Sequence, residues 1–482
     1  MRNRQFINGK WIESTASQVF DQRNPANLDE ITGQWPQGGR EDARAAIEAA
    51  QAAFPAWRAL PPARRAELFT TLLAALLRRV EEIARVLTQE NGKTLRESRG
   101  EVQSAFREME YQVQEGARTA SRMPPTMKEG ILGYERREPL GVVAVISPWN
   151  FPFNVPCRKV TPALMAGNTC VFKPSSLTPG VGRIFTALFE EAGFPPGVIN
   201  MVVGAGSTLG QELTSAAEVR AISFTGSTEV GRRIHRVAAE AMIRTQLEMG
   251  GKNPLVVLAD ADLEQAAAAA VEAAYACAGQ WCTSTSRLIV ERSVAEDLLQ
   301  RVLARVAAMK LGNGMDETTA MGPVCGAEQL ENVLRYVDAG KKEGARVCAG
   351  GERVTEGPLS RGCFVAPTVF AGVTPSMRIA REEIFGPVLS VMETASFDEA
   401  IALANAVDFG LAASVYTRDI EKGLAFVEQV SAGLMHVNMP TAYKEPAFAF
   451  GGVKASGFGL PEAGESGIQF FTEHKTVYVR YR

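Results

Sequence analysis

Residues 142–150, VVAVISPWN, decide the fold. Five apolar residues stop abruptly at Ser147-Pro148-Trp149-Asn150, and a short, β-branched run of this kind reads as a strand buried on both faces. Working outward, Thr169–Phe172, Val198–Val203 and Ala221–Phe224 repeat the pattern, separated by helix-length segments with Gly or Pro at their ends. Strands recurring at that interval imply right-handed crossovers and a parallel α/β sheet. Sheets of this class bind ligands at the carboxyl ends of their strands. The segments found there are SPWN, KPSS, VGAG and FTGS, all small, polar or glycine-rich.

Upstream, FINGKWIES reads as a hairpin-like start. From Glu41 the pattern turns helical, and Leu68, Leu72, Leu76, Val80, Ile83 and Leu87 fall at spacings of three or four, which predicts one stripe along one helix with Pro61 and Pro62 at its first turn. A further helix is expected from Lys93 to Ala117. Downstream, Gly250 and Gly251 make a natural hinge into a second α/β series. It has strands at Leu255–Leu258, Leu288–Val290, Val388–Val391, Ala413–Tyr416 and Leu434–Val437, and helices at Leu263–Cys277 and Val294–Met309. The polar and apolar alternation of Thr476–Tyr481 predicts a terminal strand, whose edge invites pairing.

A chain of 482 residues implies two or three domains. Its 46% hydrophobic and 22% charged content is globular, and a net charge of −3 offers no electrostatic footprint for nucleic acid or an anionic membrane. No apolar run reaches the roughly 20 residues that span a bilayer. Seven scattered cysteines with no CxxC and no secretory leader point to a reducing cytoplasm. Three isolated histidines make a catalytic metal unexpected.

Chemistry concentrates in Ala278–Arg287, AGQWCTSTSR, where Cys282 sits between a helical run and a strand. A free thiol has a pKa near 8.5 and needs partners to act as a nucleophile. Candidates are Asn150, Lys173, Glu248 and Glu383, each also an ordinary turn or surface residue when read alone. Cys277, five residues from Cys282, falls on another helical face and reads as core. The segment 226–231, GSTEVG, imitates a phosphate loop, but Arg232 and Arg233 stand where Lys and Ser/Thr are required, so an ATPase is excluded. What survives is a Gly-Ser turn opening a helix, which suits a pyrophosphate.

Taken together, SPWNFP at 147–152, FKPSS at 172–176, FTGSTEVG at 224–231, LEMGGKNP at 247–254, GQWC at 279–282, EEIFGPV at 382–388 and FGGVKASGFG at 450–459 resemble, in order and over essentially the whole chain, the motifs of the NAD(P)-dependent aldehyde dehydrogenase superfamily. The resemblance implies a dinucleotide-binding domain of residues 1–119 and 140–250, a catalytic domain of residues 251–450, and oligomerisation strands within 120–139 and 466–482. It implies that Cys282 attacks an aldehyde carbon, that Asn150 and the Cys282 N–H hold the oxygen, and that Glu248 activates the water that hydrolyses the thioester. The cofactor, NADP or NAD, is then expected against Ile146, Trp149, Lys173, Ser176, Gly206, Gly226, Ser227, Met249, Glu383 and Phe385. NAD-only members usually carry Glu at the position of Ser176, and its absence removes a repulsion against a 2′-phosphate of about 1 to 4 kcal/mol per charge pair at about 4 Å.

The resemblance further implies that Arg158 meets the distal carboxylate of a short acidic semialdehyde, of the 2-oxoglutaric or succinic type. A second arginine frequent in such members, six residues before the nucleophile, is Ala276 here, and Lys444 is the candidate replacement. A homodimer or homotetramer is expected. Aromatic or aliphatic aldehyde oxidation, CoA acylation, cysteine hydrolysis and a catalytically silent relative are the competing readings. Glu248 disfavours CoA acylation because a thiol acceptor needs no hydrolytic base.

Overall fold

A computed structural model describes residues 4–118 and 121–482. Two sheets organise the chain. The first has eight strands in the order Lys10–Ile12, Gln5–Ile7, Ile199–Met201, Thr169–Lys173, Val142–Ile146, Val219–Thr225, Arg244–Glu248, Gly457–Phe458. Its five central strands are parallel and its outer ones antiparallel. Because side chains alternate along a strand, Val143 and Val145 enter one core with Phe69, Leu72 and Leu76. Val142 and Ala144 enter another, with Ala43, Ile47 and Ile222. Burial on both faces explains the unbroken apolar runs.

The second sheet has seven strands, ordered Arg346–Ala349, Thr368–Ala371, Val388–Thr394, Thr285–Glu291, Asn253–Val257, Ala412–Tyr416, Leu434–Val437. All but the first are parallel. A separate ribbon pairs Ile131–Pro139 with Thr472–Arg480 along their whole length, so the predicted terminal strand is present and longer than expected. The expected domain boundary at residues 119 and 120 lies outside the described residues.

Three expectations are corrected. The stripe from Leu68 to Leu87 belongs to two helices, Pro62–Arg78 and Val80–Asn91, broken at Arg79 with φ −113° and ψ 13°. Arginine is a good helix former, so composition carries no sign of the break. The helix expected from Lys93 starts at Leu95, where Thr94 and Glu97 form a capping box. The helix carrying Cys277 ends at Tyr275; Cys277 and Ala278 are left-handed, at φ 51° and 55°. Cys277 therefore lies on no helical face, although it is buried as expected. The hairpin start is real, with Asn8 and Gly9 both at positive φ in the turn, and it extends the first sheet.

Candidate active site

The strand ends of the first sheet create one wall. Ile146 pairs in register with Lys173 on one side and Phe224 on the other, and Glu248 with Thr225. Four adjacent parallel strands thus deliver Lys173, Ile146, the Thr225-Gly226-Ser227 turn and Glu248 to a single edge. Lys173 is buried, its Nζ donating to the carbonyl of neighbouring Pro174 at 3.3 Å, and burial pulls its pKa down to about 8. Ser176 Oγ donates to the Gly204 carbonyl at 3.2 Å. Gly206 opens the next turn, where a Cβ would meet nothing. At Gly226 a Cβ would lie 2.4 Å from the Phe224 ring, so only glycine fits there. Its N–H donates to the Glu248 carbonyl at 3.1 Å, and Ser227 caps the helix Thr228–Glu240.

The facing wall comes from the second sheet. Glu383 Oε1 accepts from the Gly251 N–H at 3.0 Å, and burial pushes its carboxyl up to about 7. A Cβ on Gly250 would sit 2.0 Å from the other Glu383 oxygen, which accounts for the glycine. Phe385 meets Trp149 edge-on with ring centroids 5.4 Å apart. Met249 donates its N–H to the Ser456 carbonyl at 2.8 Å. A cleft of about 550 Å³ has Thr228 and Glu383 among its lining residues. A helix start, glycines with no room for a side chain, a buried lysine and a carboxylate fit a dinucleotide, whose phosphates would suit the helix start.

Between the walls stands the thiol. Cys282 occupies a turn closed by the Ser284 N–H on the Trp281 carbonyl at 2.9 Å, just before the strand Thr285–Glu291. Asn253 Nδ2 donates to the Cys282 carbonyl at 2.8 Å. Burial pushes the thiol up to about 12, against the pull of Arg158, so the resting sulfur is protonated. Asn150 Nδ2 donates to the Gln280 carbonyl at 3.1 Å, two residues before the thiol. Upstream, the left-handed turn at Cys277 is held by its N–H donating to Glu97 Oε1 at 2.7 Å.

Glu248 is buried, with Oε2 making no hydrogen bond. Burial first, then the Glu462 carboxylate, push it well above the usual range, against Lys159 and Arg158. Glu462 was not foreseen. It is fully buried, ion-paired to Lys159 and 3.4 Å from Arg158 Nε, and accepts from Thr225 Oγ1 at 3.2 Å. Burial raises it too, but Lys159 and Arg158 outweigh burial and hold it below the usual carboxylate range. Two carboxyls in one buried site are thereby pushed in opposite directions, Glu248 up and Glu462 down. Nothing in the sequence around Glu462 marks it.

Arg158 lies over the Phe450 ring at 4.3 Å, and its Nη1 is buried without a hydrogen-bond partner. Lys444 places its Nζ 6.0 Å from the centroid of the same ring. Its Nζ donates to Asn154 Oδ1 at 3.2 Å and pairs with Glu108 at 3.6 Å, and burial followed by Arg158 pulls it down to about 8. Both cations act electrostatically on Cys282.

Residues 11–477 match the aldehyde dehydrogenase family profile. The alpha-ketoglutaric semialdehyde dehydrogenase of Bacillus subtilis is 42% identical over 475 residues, 98% of this chain and 97% of the relative. Betaine aldehyde dehydrogenase of Staphylococcus aureus, solved in complex with NAD+, superposes with a TM-score of 0.97 at 35% identity, covering 100% of this chain and 95% of that one. A structure described as an NADP dependent enzyme of E. coli gives 0.96 at 34% identity, covering 99% and 98%.

Proposed function

This chain belongs to the aldehyde dehydrogenase family, and from that premise we propose that it oxidises a short acidic semialdehyde, of the 2-oxoglutaric or succinic class, to the carboxylic acid. The observation that carries the substrate class is the Arg158 guanidinium. A buried charged donor left without a partner is costly, and Nη1 is such a donor, on a guanidinium that lies over Phe450 and acts electrostatically on Cys282. A second cation, Lys444, flanks the same ring. A substrate carboxylate there satisfies Nη1 while its aldehyde end meets Cys282. The similarity to a named semialdehyde dehydrogenase supports the same class.

The catalytic roles follow from each side chain's position. Cys282 Sγ bonds to the aldehyde carbon as its proton passes to water and the carbonyl π pair moves onto the oxygen. The Asn150 amide has one N–H on Gln280 and a second free for the new oxyanion, beside the Cys282 N–H. NAD(P)+, when bound, would supply the hydride acceptor. The acyl thioester is then hydrolysed by water that Glu248 deprotonates. Burial raises the Glu248 carboxyl above the usual range and so makes it a stronger base than a surface carboxylate, and the Glu462–Lys159 ion pair lies in the same buried site. With Ser176 in place of a carboxylate, NADP is accepted alongside NAD. A kcat/KM with NADP more than about a hundredfold below that with NAD, roughly 2.7 kcal/mol, counts against this.

The domain division given above, 1–119 with 140–250, 251–450, and 120–139 with 466–482, is proposed on the membership of the two sheets and the ribbon. A homodimer or homotetramer is proposed on the free ribbon, which exposes Leu132, Tyr478 and Val479. Seven free cysteines support a cytoplasmic setting. Among the described residues, no helix is long and apolar enough to cross a membrane.

The deciding experiment compares kcat/KM for 2-oxoglutaric semialdehyde, succinic semialdehyde, betaine aldehyde, benzaldehyde and hexanal by formation of reduced cofactor. The two acidic substrates are expected to lead. Preference for betaine aldehyde or a neutral aldehyde removes the proposal, and no reduced cofactor with any of them removes the oxidoreductase roles.

A further inference from the structure

Lys93 and Glu101 are a buried ion pair with both side chains fully enclosed and Nζ to Oε2 at 2.6 Å. The three directions of the ammonium are all accounted for. One N–H goes to Glu101, one reaches the main-chain carbonyl of Asn150 at 2.7 Å, and the charge lies 4.1 Å from the centroid of the Phe151 ring. Phe151 in turn packs on Trp281 at 4.8 Å, the residue before the nucleophile. Glu101 uses its other oxygen to accept from the N–H groups of Phe153 and Asn154, at 2.9 and 3.0 Å. That is the start of the helix Asn154–Met165, which carries Arg158 and Lys159. The pair therefore grips residues 150, 151, 153 and 154 of one loop from behind.

Buried ion pairs contribute little stability over an apolar replacement of similar size, so fold stability alone gives weak reason for one here. Their hydrogen bonds are directional, and a short, charge-assisted bond to the Asn150 carbonyl fixes that peptide's rotation. The side-chain amide is set from the other end by Gln280. Gln280 is itself anchored, accepting from the Cys325 N–H at 2.8 Å and donating to the Cys277 carbonyl at 3.0 Å. We infer that the Lys93–Glu101 pair is a positioning device for the Asn150 amide, holding its free N–H at the place where negative charge develops on the substrate oxygen. Neither residue touches substrate. This rests on the reading of Asn150 as the oxyanion donor, and a displacement of about 1 Å in such a donor costs up to about a hundredfold in rate.

The test is a double-mutant cycle on the full chain. The first arm is Lys93→Met with Glu101→Gln, which removes both charges but leaves an amide oxygen for the Phe153 and Asn154 N–H groups. The second is Asn150→Ala. The pair variant is expected to lose about 10- to 100-fold in kcat, with KM for the cofactor changed by less than about threefold, a loss confined to the chemical step. Asn150→Ala alone should lose about 100- to 1,000-fold. Combined with Asn150→Ala, the pair variant should cost less than about threefold more, because the group being positioned is gone. An undiminished cost in the Asn150→Ala background, or a pair variant with wild-type kcat, overturns the inference. A wild-type rate in Asn150→Ala instead overturns the oxyanion reading on which it stands. Should the pair variant fail to fold, Glu101→Gln alone substitutes, with a smaller kcat loss that must vanish in the same background.

Discussion

The two sides of the active site are built in opposite ways. The cofactor side is made mostly of consecutive strand ends of one sheet between residues 146 and 249, each followed by its own short turn, and only Glu383 and Phe385 face it from the second sheet. The substrate side is assembled from pieces far apart in sequence. Arg158 and Lys159 meet Glu462 about 300 positions away, and Lys444 meets Asn154 and Glu108. The first wall relies on backbone shape, helix starts and missing Cβ atoms. The second relies on charges withdrawn from water, where each cation and carboxylate sets the protonation of the next. The difference teaches that changes on the first side should act through cofactor affinity, and changes on the second through protonation and substrate choice.

The largest test lies where the two sides meet. Cys282→Ser should lower turnover by about 10,000-fold or more, since removing a covalent nucleophile removes the pathway and not one contact. Progress curves of reduced cofactor check this, and a fall of only a few fold would remove the thiol from the chemistry. Next, Glu248→Gln should release about one reduced cofactor per subunit in a burst and then stall at the thioester. Smooth multiple turnover would assign the water to another base, with Glu462 the first to examine.

Arg158→Gln should lower kcat/KM for the acidic semialdehydes by about 10- to 100-fold, the worth of one charged hydrogen bond of roughly 1.5–3 kcal/mol. Hexanal should change by less than about threefold, within the error of a neutral contact. Equal losses for both substrates would return Arg158 to a structural role beside Glu462. The smallest effect concerns pH. Lys444, pulled down to about 8 by burial, is charged below that value and neutral above it. KM for an acidic substrate should therefore rise about fivefold between about pH 7 and about pH 9, a loss near 1 kcal/mol, while KM for hexanal stays level. A level KM for both would dissociate Lys444 from the substrate carboxylate.

Legibility followed the same division. Strands at Val142–Ile146 and Leu288–Val290 were readable because two-sided burial demands unbroken apolar runs. The turn glycines and the Cys282 segment were readable because close approach restricts residue type locally. The break at Arg79 and the left-handed Cys277 and Ala278 were not, since neither Arg nor Ala marks such conformations. The Cys277 turn is held by Glu97, 180 positions upstream.

The sequence by itself determined the parallel α/β plan and the family, because strand patterns and motifs are legible within a few residues, and through the family resemblance it nominated the thiol, the amide and the carboxylate. Tertiary structure alone decided that Glu462 and Lys159 stand behind Glu248, that Arg158 keeps a free donor, and that Lys93 grips the Asn150 peptide. Those outcomes depend on which charges share a dry interior. Charges interact through space, and nothing in the order of residues records a distance across a folded core.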